Sequence, residues 1–106
     1  MKESDWKVFK KIKNRALERY CQRVLDEFQA VITNTDEHVH DRYLRLYDLV
    51  HKRNKEMAQM FDGHSRSRAW LQLVAIRSHA LADEEMLAEL TDEFREQTDL
   101  RWDERE

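Results

Sequence analysis

The chain has 106 residues, 41% of them hydrophobic and 39% charged, with one Gly, no Pro, one Cys and a formal charge of −3. That length suits a single helical domain over residues 1–106 with one modest core, and excludes a large multidomain enzyme. Collagen-like, proline-rich, linker-like and disulfide-scaffold classes are excluded by the same composition.

Abundant Glu, Lys, Arg, Leu and Ala without Pro favour helix throughout. Trp6, Phe9, Ile12, Ala16, Tyr20, Val24, Phe28 and Val31 recur at steps of three or four, which puts them on one helical face. The spacing predicts a first helix over about 5–32, with Ser4 or Asp5 as its N-cap. Thr33-Asn34-Thr35-Asp36 follows, side chains that compete for backbone hydrogen bonds and mark a turn. Asn34 and Glu37 then have capping-box spacing for a second helix over about 36–62. Its apolar side carries Val39, Tyr43, Leu46, Val50, Met57, Met60 and Phe61, with Arg53 in the gap. Gly63 ends it, since glycine alone takes a positive φ without steric cost.

Ser65 or Ser67 can cap a third helix whose interior, Ala69 to Ile76, is apolar nearly all round and so is predicted to be the most buried. Asp83, Glu84 and Glu85 suit the start of a fourth, where the macrodipole favours negative charge; it bears Met86, Leu87, Leu90 and Phe94. Thr91-Asp92 offers a cap for a separate short helix, and residues 99–106 are polar enough to fray despite Leu100 and Trp102. The expected fold is all-α: a small helical bundle built on a long antiparallel hairpin, about 5–32 and 36–62, covered by two or three shorter helices. Helices of that length span roughly 40 Å. The shorter ones cannot cover them, so apolar surface is left over and homodimerisation is the physical expectation.

Charge is unevenly spread. Residues 1–25 hold eight basic side chains against three acidic, and residues 82–106 three against eleven, a pattern of mutual docking or of two partners. Lys11, Arg15, Arg19 and Arg23, at steps of four, form a cationic stripe on the first helix; Glu85, Glu89 and Glu93 offer it an acidic counterpart. His40, Leu44, Asp48 and His51 share the side of the second helix opposite its apolar face and form a candidate partner contact. Ser65, Arg66 and Arg68 are a candidate anion contact at the start of the third helix.

No catalytic residue, metal site or cofactor is predicted. Cys21 sits at the edge of the apolar face as a small boundary residue, and His38 and His40, two apart, lie on different sides of a helix. Lys13, Arg53 and Arg77 fall on or beside apolar faces, where their stems let the charge reach water. Tyr20, Tyr43, Tyr47 and Trp70 read as core aromatics. A lone cysteine suggests a cytoplasmic setting, and Met1 to Trp6 lacks the apolar run of a signal peptide. No stretch approaches the roughly 20 apolar residues of a membrane span. The expected role is non-enzymatic contact with another protein, as a homodimeric accessory or regulatory module. The alternative is nucleic-acid binding through Lys11, Arg15, Arg19, Arg23, Arg66 and Arg68, which the net acidic charge disfavours.

Overall fold

An apolar repeat without a helix breaker carries α1 from Glu3 to Thr33, and after a short turn the chain returns as α2, Val39–Phe61. Three shorter helices follow: α3 (Arg66–Ser78), α4 (Glu84–Leu87) and α5 (Asp92–Gln97). This computed structural model describes residues 1–99; Leu100, Trp102 and the rest of the tail expected to fray lie outside the described residues. Asp99 itself is half-buried, and its N–H donates to the Glu96 carbonyl. The fold is an all-α bundle on an antiparallel hairpin, as the periodicity predicts.

Helix starts differ from expectation where a side chain finds a better partner than its own backbone. Lys2 is the N-cap of α1 and makes no side-chain cap bond. Asp5, read as a cap, is buried instead, and its carboxylate accepts from the Thr91 N–H at 2.8 Å and the Thr91 hydroxyl at 2.7 Å. Thr91 in turn accepts from the Phe94 N–H and starts α5, so one carboxylate ties the first helix to the last. At α2 the expected capping box is absent. Asn34 Oδ1 accepts from the Asp36 N–H in a local turn and Glu37 pairs with Arg45 at 2.6 Å, which delays the helix to Val39.

Two helix ends show the left-handed stop. Gly63 has φ +81°, as predicted. The other is Ala80, φ 55°, which closes α3: the Ala80 N–H donates to Arg77 O at 3.0 Å and the Leu81 N–H to Ile76 O at 3.1 Å. Those two bonds are a Schellman motif with alanine where glycine is usual. They turn the chain so that Leu81 is fully buried.

The core lies at one end, the base. Phe9, Ile12, Ala16, Tyr20 and Val24 of α1 meet Met60 and Phe61, then Ala69, Leu73 and Ile76 of α3, with Leu81, Leu87, Leu90 and Phe94 beyond. The third helix has the largest buried share of the described helices, four of its 13 residues against seven of 31 in α1, but it is not covered all round: Trp70 and Leu71 are exposed, and Gln72 fills a core position by donating to Asp62 O at 2.7 Å. Nor do the three cations run out to water. Lys13 is buried with its Nζ 2.6 Å from Gly63 O, and burial, aided by Arg68, pushes its ammonium below the ordinary range. Arg77 donates to Arg95 O at 2.7 Å and to the Thr98 hydroxyl at 3.0 Å. Arg53 forms a bidentate pair with Glu27. Beyond this base the hairpin continues as an arm. The molecule measures 52 × 30 × 22 Å, with a radius of gyration of 16.8 Å, against about 13 Å for a compact chain of this length.

Candidate functional site

Between the two helices of the arm lie the half-buried side chains of Phe28 and Val31 on α1 and of Leu46 and Leu49 on α2, and Phe28 packs against the core cluster. Where the arm joins the base, Arg53 donates to Glu27 at 3.0 and 2.9 Å while its carbonyl accepts from the Tyr20 hydroxyl at 2.8 Å. The Arg53 hydrogen bonds hold the Glu27 carboxyl below the usual carboxylate range. Burial, with the Glu56 carboxylate nearby, pushes the Tyr20 phenol up to about 12. Nearer the tip the Arg42 guanidinium donates to Ile32 O.

Beyond these half-buried residues a second set of apolar side chains faces solvent. On α1 these include Leu25 and Ile32, seven residues apart and therefore on one side. On α2 they are Val39, Tyr43, Tyr47 and Val50; the first three are 71, 66 and 57% exposed. Both sets lie on the same face of the hairpin. At about 100° per residue, Leu25 and Ile32 lie far round α1 from Arg23, which donates to the end of α3 at His79 O (2.7 Å). Tyr43 and Val50 are likewise turned from Glu56, which lies 3.8 Å from His79. The face opposite α3 is thus apolar across both helices, and Ile32, Val39, Tyr43 and Leu46 meet with Arg42 around a shallow groove of about 180 Å³.

The single apolar side predicted for α2 is therefore divided. Met60 and Phe61 are buried, Leu46 and Met57 are half-buried, and Val39, Tyr43 and Val50 are open. Of the four aromatics expected in the core only Tyr20 is there; Tyr43, Tyr47 and Trp70 are exposed. Leu25 and Ile32 are not among the residues expected on either apolar face, and Tyr47 is expected in the core rather than on an open surface. Their signal is a second repeat beside the stronger core stripe.

His40, Leu44, Asp48 and His51 are all exposed, on the side of α2 away from α1. The His51 ring stacks on Tyr47 with centroids 5.2 Å apart, so this patch adjoins the apolar face. The cationic stripe splits in two. Arg19 reaches Asp83 at 2.6 Å and Leu81 O at 3.4 Å, and Arg23 reaches His79 O; both grip the C-terminal end of α3, where carbonyls and the macrodipole favour a cation. Lys11 is exposed, and among the described residues Arg15 pairs with its neighbour Glu18 at 3.5 Å. Glu85, Glu89 and Glu93 stay exposed, and among the described residues of the acidic segment Asp83 is the one that pairs with the stripe, through Arg19.

At the start of α3 the candidate anion residues are not brought together. Arg66 pairs with Glu3 at 2.6 Å over the Trp6 ring, Arg68 lies against Gly63, and the Ser65 and Ser67 hydroxyls bond each other at 2.7 Å. A groove of about 430 Å³ nearby is lined by Asp5, Arg66, Trp70 and Thr91 among others. Of its polar groups, Thr91 donates to Asp5, Arg66 pairs with Glu3 and the Trp70 N–H donates to Gln97 O. Among the described residues no group of three or more His, Cys, Asp or Glu could hold a metal ion, and no helix is long and apolar enough to cross a membrane. The chain matches no protein-family model, no curated protein and no solved structure.

Proposed function

We propose that this chain is a non-enzymatic association module, working in the cytoplasm as a homodimeric accessory or regulatory protein, with the α1–α2 arm as its docking element. The observation that carries this reading is the open apolar face of Leu25, Ile32, Val39, Tyr43 and Val50, bordered by Tyr47. The two tyrosines alone leave roughly 200–300 Å² in water. With their neighbours they approach the ~800 Å² that one partner contributes to a standard interface, more than a monomer ordinarily leaves open in one patch. A lone half-buried Cys21 fits a reducing compartment. The outer patch of His40, Leu44, Asp48 and His51 extends the same surface through Tyr47.

Sedimentation equilibrium tests this. The wild-type chain is expected to dimerise, and Tyr43→Glu/Val50→Glu to weaken dimerisation by roughly tenfold or more without loss of helix signal. A wild-type chain that stays monomeric at high micromolar concentration rejects the reading. The nucleic-acid alternative has less support, because Arg19 and Arg23 are engaged with the chain's own carbonyls and Arg66 with Glu3.

A further inference from the structure

The open face of the arm is laid out in level rows. On α1, Cys21, Leu25, Phe28 and Ile32 follow at steps of four, three and four; on α2, taken backwards, Asn54, Val50, Tyr47 and Tyr43 follow at the same steps. The register of the hairpin is fixed by the Tyr20 hydroxyl on Arg53 O at 2.8 Å and by Arg42 on Ile32 O. In that register Cys21 is level with Asn54, Leu25 with Val50, Phe28 with Tyr47 and Ile32 with Tyr43, four layers of two over about 16 Å. The last pair lines the groove at the tip. Six of the eight are exposed; Cys21 and Phe28 are half-buried, and Phe28 also reaches the core cluster.

Alternating steps of three and four are heptad spacing, which keeps one row of side chains turned to a partner helix along its length. Neither row contains Asp, Glu, Lys or Arg, in a chain that is 39% charged. The nearest cations are engaged within the hairpin: Arg42, which also lines the groove, donates to Ile32 O, and Arg53 pairs with Glu27. The rows also have ends. Towards the base the spacing continues on α1 as the exposed Glu18, Asn14 and Lys11, and on α2 as Met57 and Phe61, which the base covers. Two level rows on neighbouring antiparallel helices are half of a four-helix core. A single helix laid between them leaves Tyr47, on the edge away from α1, in water; a helix pair of the same spacing covers both rows. The chain's own hairpin is such a pair. We infer that the occupant of the arm is the arm of a second copy, closing a four-helix bundle with four core layers of four side chains. This rests on the association proposed above and adds its architecture. Both helices contribute equally, Cys21 and Asn54 form the polar layer, and contact between the same rows of two copies is isologous and stops at two.

Sedimentation equilibrium of the full-length chain and single variants tests the architecture. Leu25→Glu and Ile32→Glu, both on α1, are expected to weaken dimerisation roughly tenfold or more. Ala30→Glu, exposed on the other side of the same helix, is expected to change it by less than about twofold. Asn54→Leu makes the polar layer apolar and is expected to tighten the dimer by roughly threefold or more, whereas Lys52→Leu, on the opposite side of α2, leaves it unchanged. All five positions are exposed, and a gain in affinity cannot come from unfolding. A dimer untouched by Leu25→Glu and Ile32→Glu, an assembly larger than two chains, or an Asn54→Leu dimer no tighter than Lys52→Leu overturns the four-helix architecture and leaves the association standing. A wild-type chain that stays monomeric rejects both proposals.

Discussion

The base and the arm are built from the same two helices yet solve the burial problem differently. In the base, each helix-spanning polar group is tied to a distant partner: Asp5 to Thr91, Lys13 to Gly63 O, Gln72 to Asp62 O, Arg19 and Arg23 to the end of α3. Phe9, Ile12, Ala16, Leu73, Ile76, Leu87 and Phe94 there are buried in one cluster to which all five helices contribute. The arm has half-buried side chains between its helices, one bidentate ion pair at its root, and a face left open. The comparison teaches that the base determines whether the chain folds, while the arm's outer face contributes little to that and is available for contact.

Substitution of matched apolar residues breaks or sharpens this contrast most directly. Leu73→Ala, in a fully buried position, is expected to cost about 2–5 kcal/mol of stability. Val50→Ala is expected to stay within about 0.5 kcal/mol in a dilute monomer while weakening self-association. Chemical denaturation at low protein concentration, beside sedimentation, measures both; a large stability loss for Val50→Ala would make the arm face structural. Next in size is Asp5→Ala. It strips the Thr91 N–H and hydroxyl of their acceptor in a buried place, at an expected cost of about 1–3 kcal/mol. Amide exchange should show α5 opening first, since it is a six-residue helix anchored by that carboxylate.

The junction between the regions is read by pH. Arg53 depresses the Glu27 carboxyl, so its contribution is fully present above the ordinary value of 4.5 and is lost as pH falls through the lower folded-state value. Urea midpoints from pH 7 downwards are expected to fall less steeply in Glu27→Gln than in the wild type. At the alkaline side the sign reverses. Tyr20 keeps its proton to about 12 when folded, so its contribution is complete below its ordinary 10.0 and fades as pH rises from there. Tyr20→Phe removes that alkaline slope.

Local features were legible in the sequence: five helices or nearly so, the hairpin, the Thr91 cap and the positive φ of Gly63 follow from spacing and from residue types acting on their own backbone. What eluded it depends on partners far along the chain. Nothing near Asp5 announces Thr91, and its short acidic side chain near a helix start reads as a cap because that is the local use. Periodicity likewise groups Val39, Tyr43, Leu46 and Val50, but a helix with a wide apolar face can turn either edge inward; in the folded chain Leu46 is half-buried and the other three are exposed. The leftover surface was foreseeable from helix lengths alone, whereas its position on the face opposite α3 required the Arg23 and Glu56 contacts to fix where α3 lies.

The smallest expected effect runs the other way, towards stability. Ala80 holds φ 55° at the stop of α3, where a Cβ crowds the carbonyl and costs roughly 1–2 kcal/mol. Glycine there loses more backbone entropy on folding but escapes the clash, and the balance favours Ala80→Gly by about 0.5–1 kcal/mol. For a domain of this size that raises the melting temperature by a few degrees, on the order of 2–8 °C. The Schellman bonds to Arg77 O and Ile76 O are unchanged by the substitution, so Leu81 stays buried and the carbonyls that Arg19 and Arg23 grip stay in place. The gain should therefore appear wholly in the base, with self-association through the arm unaltered. A parallel change in dimer affinity would show that the two ends are coupled and that the separation between folding base and docking arm is incomplete.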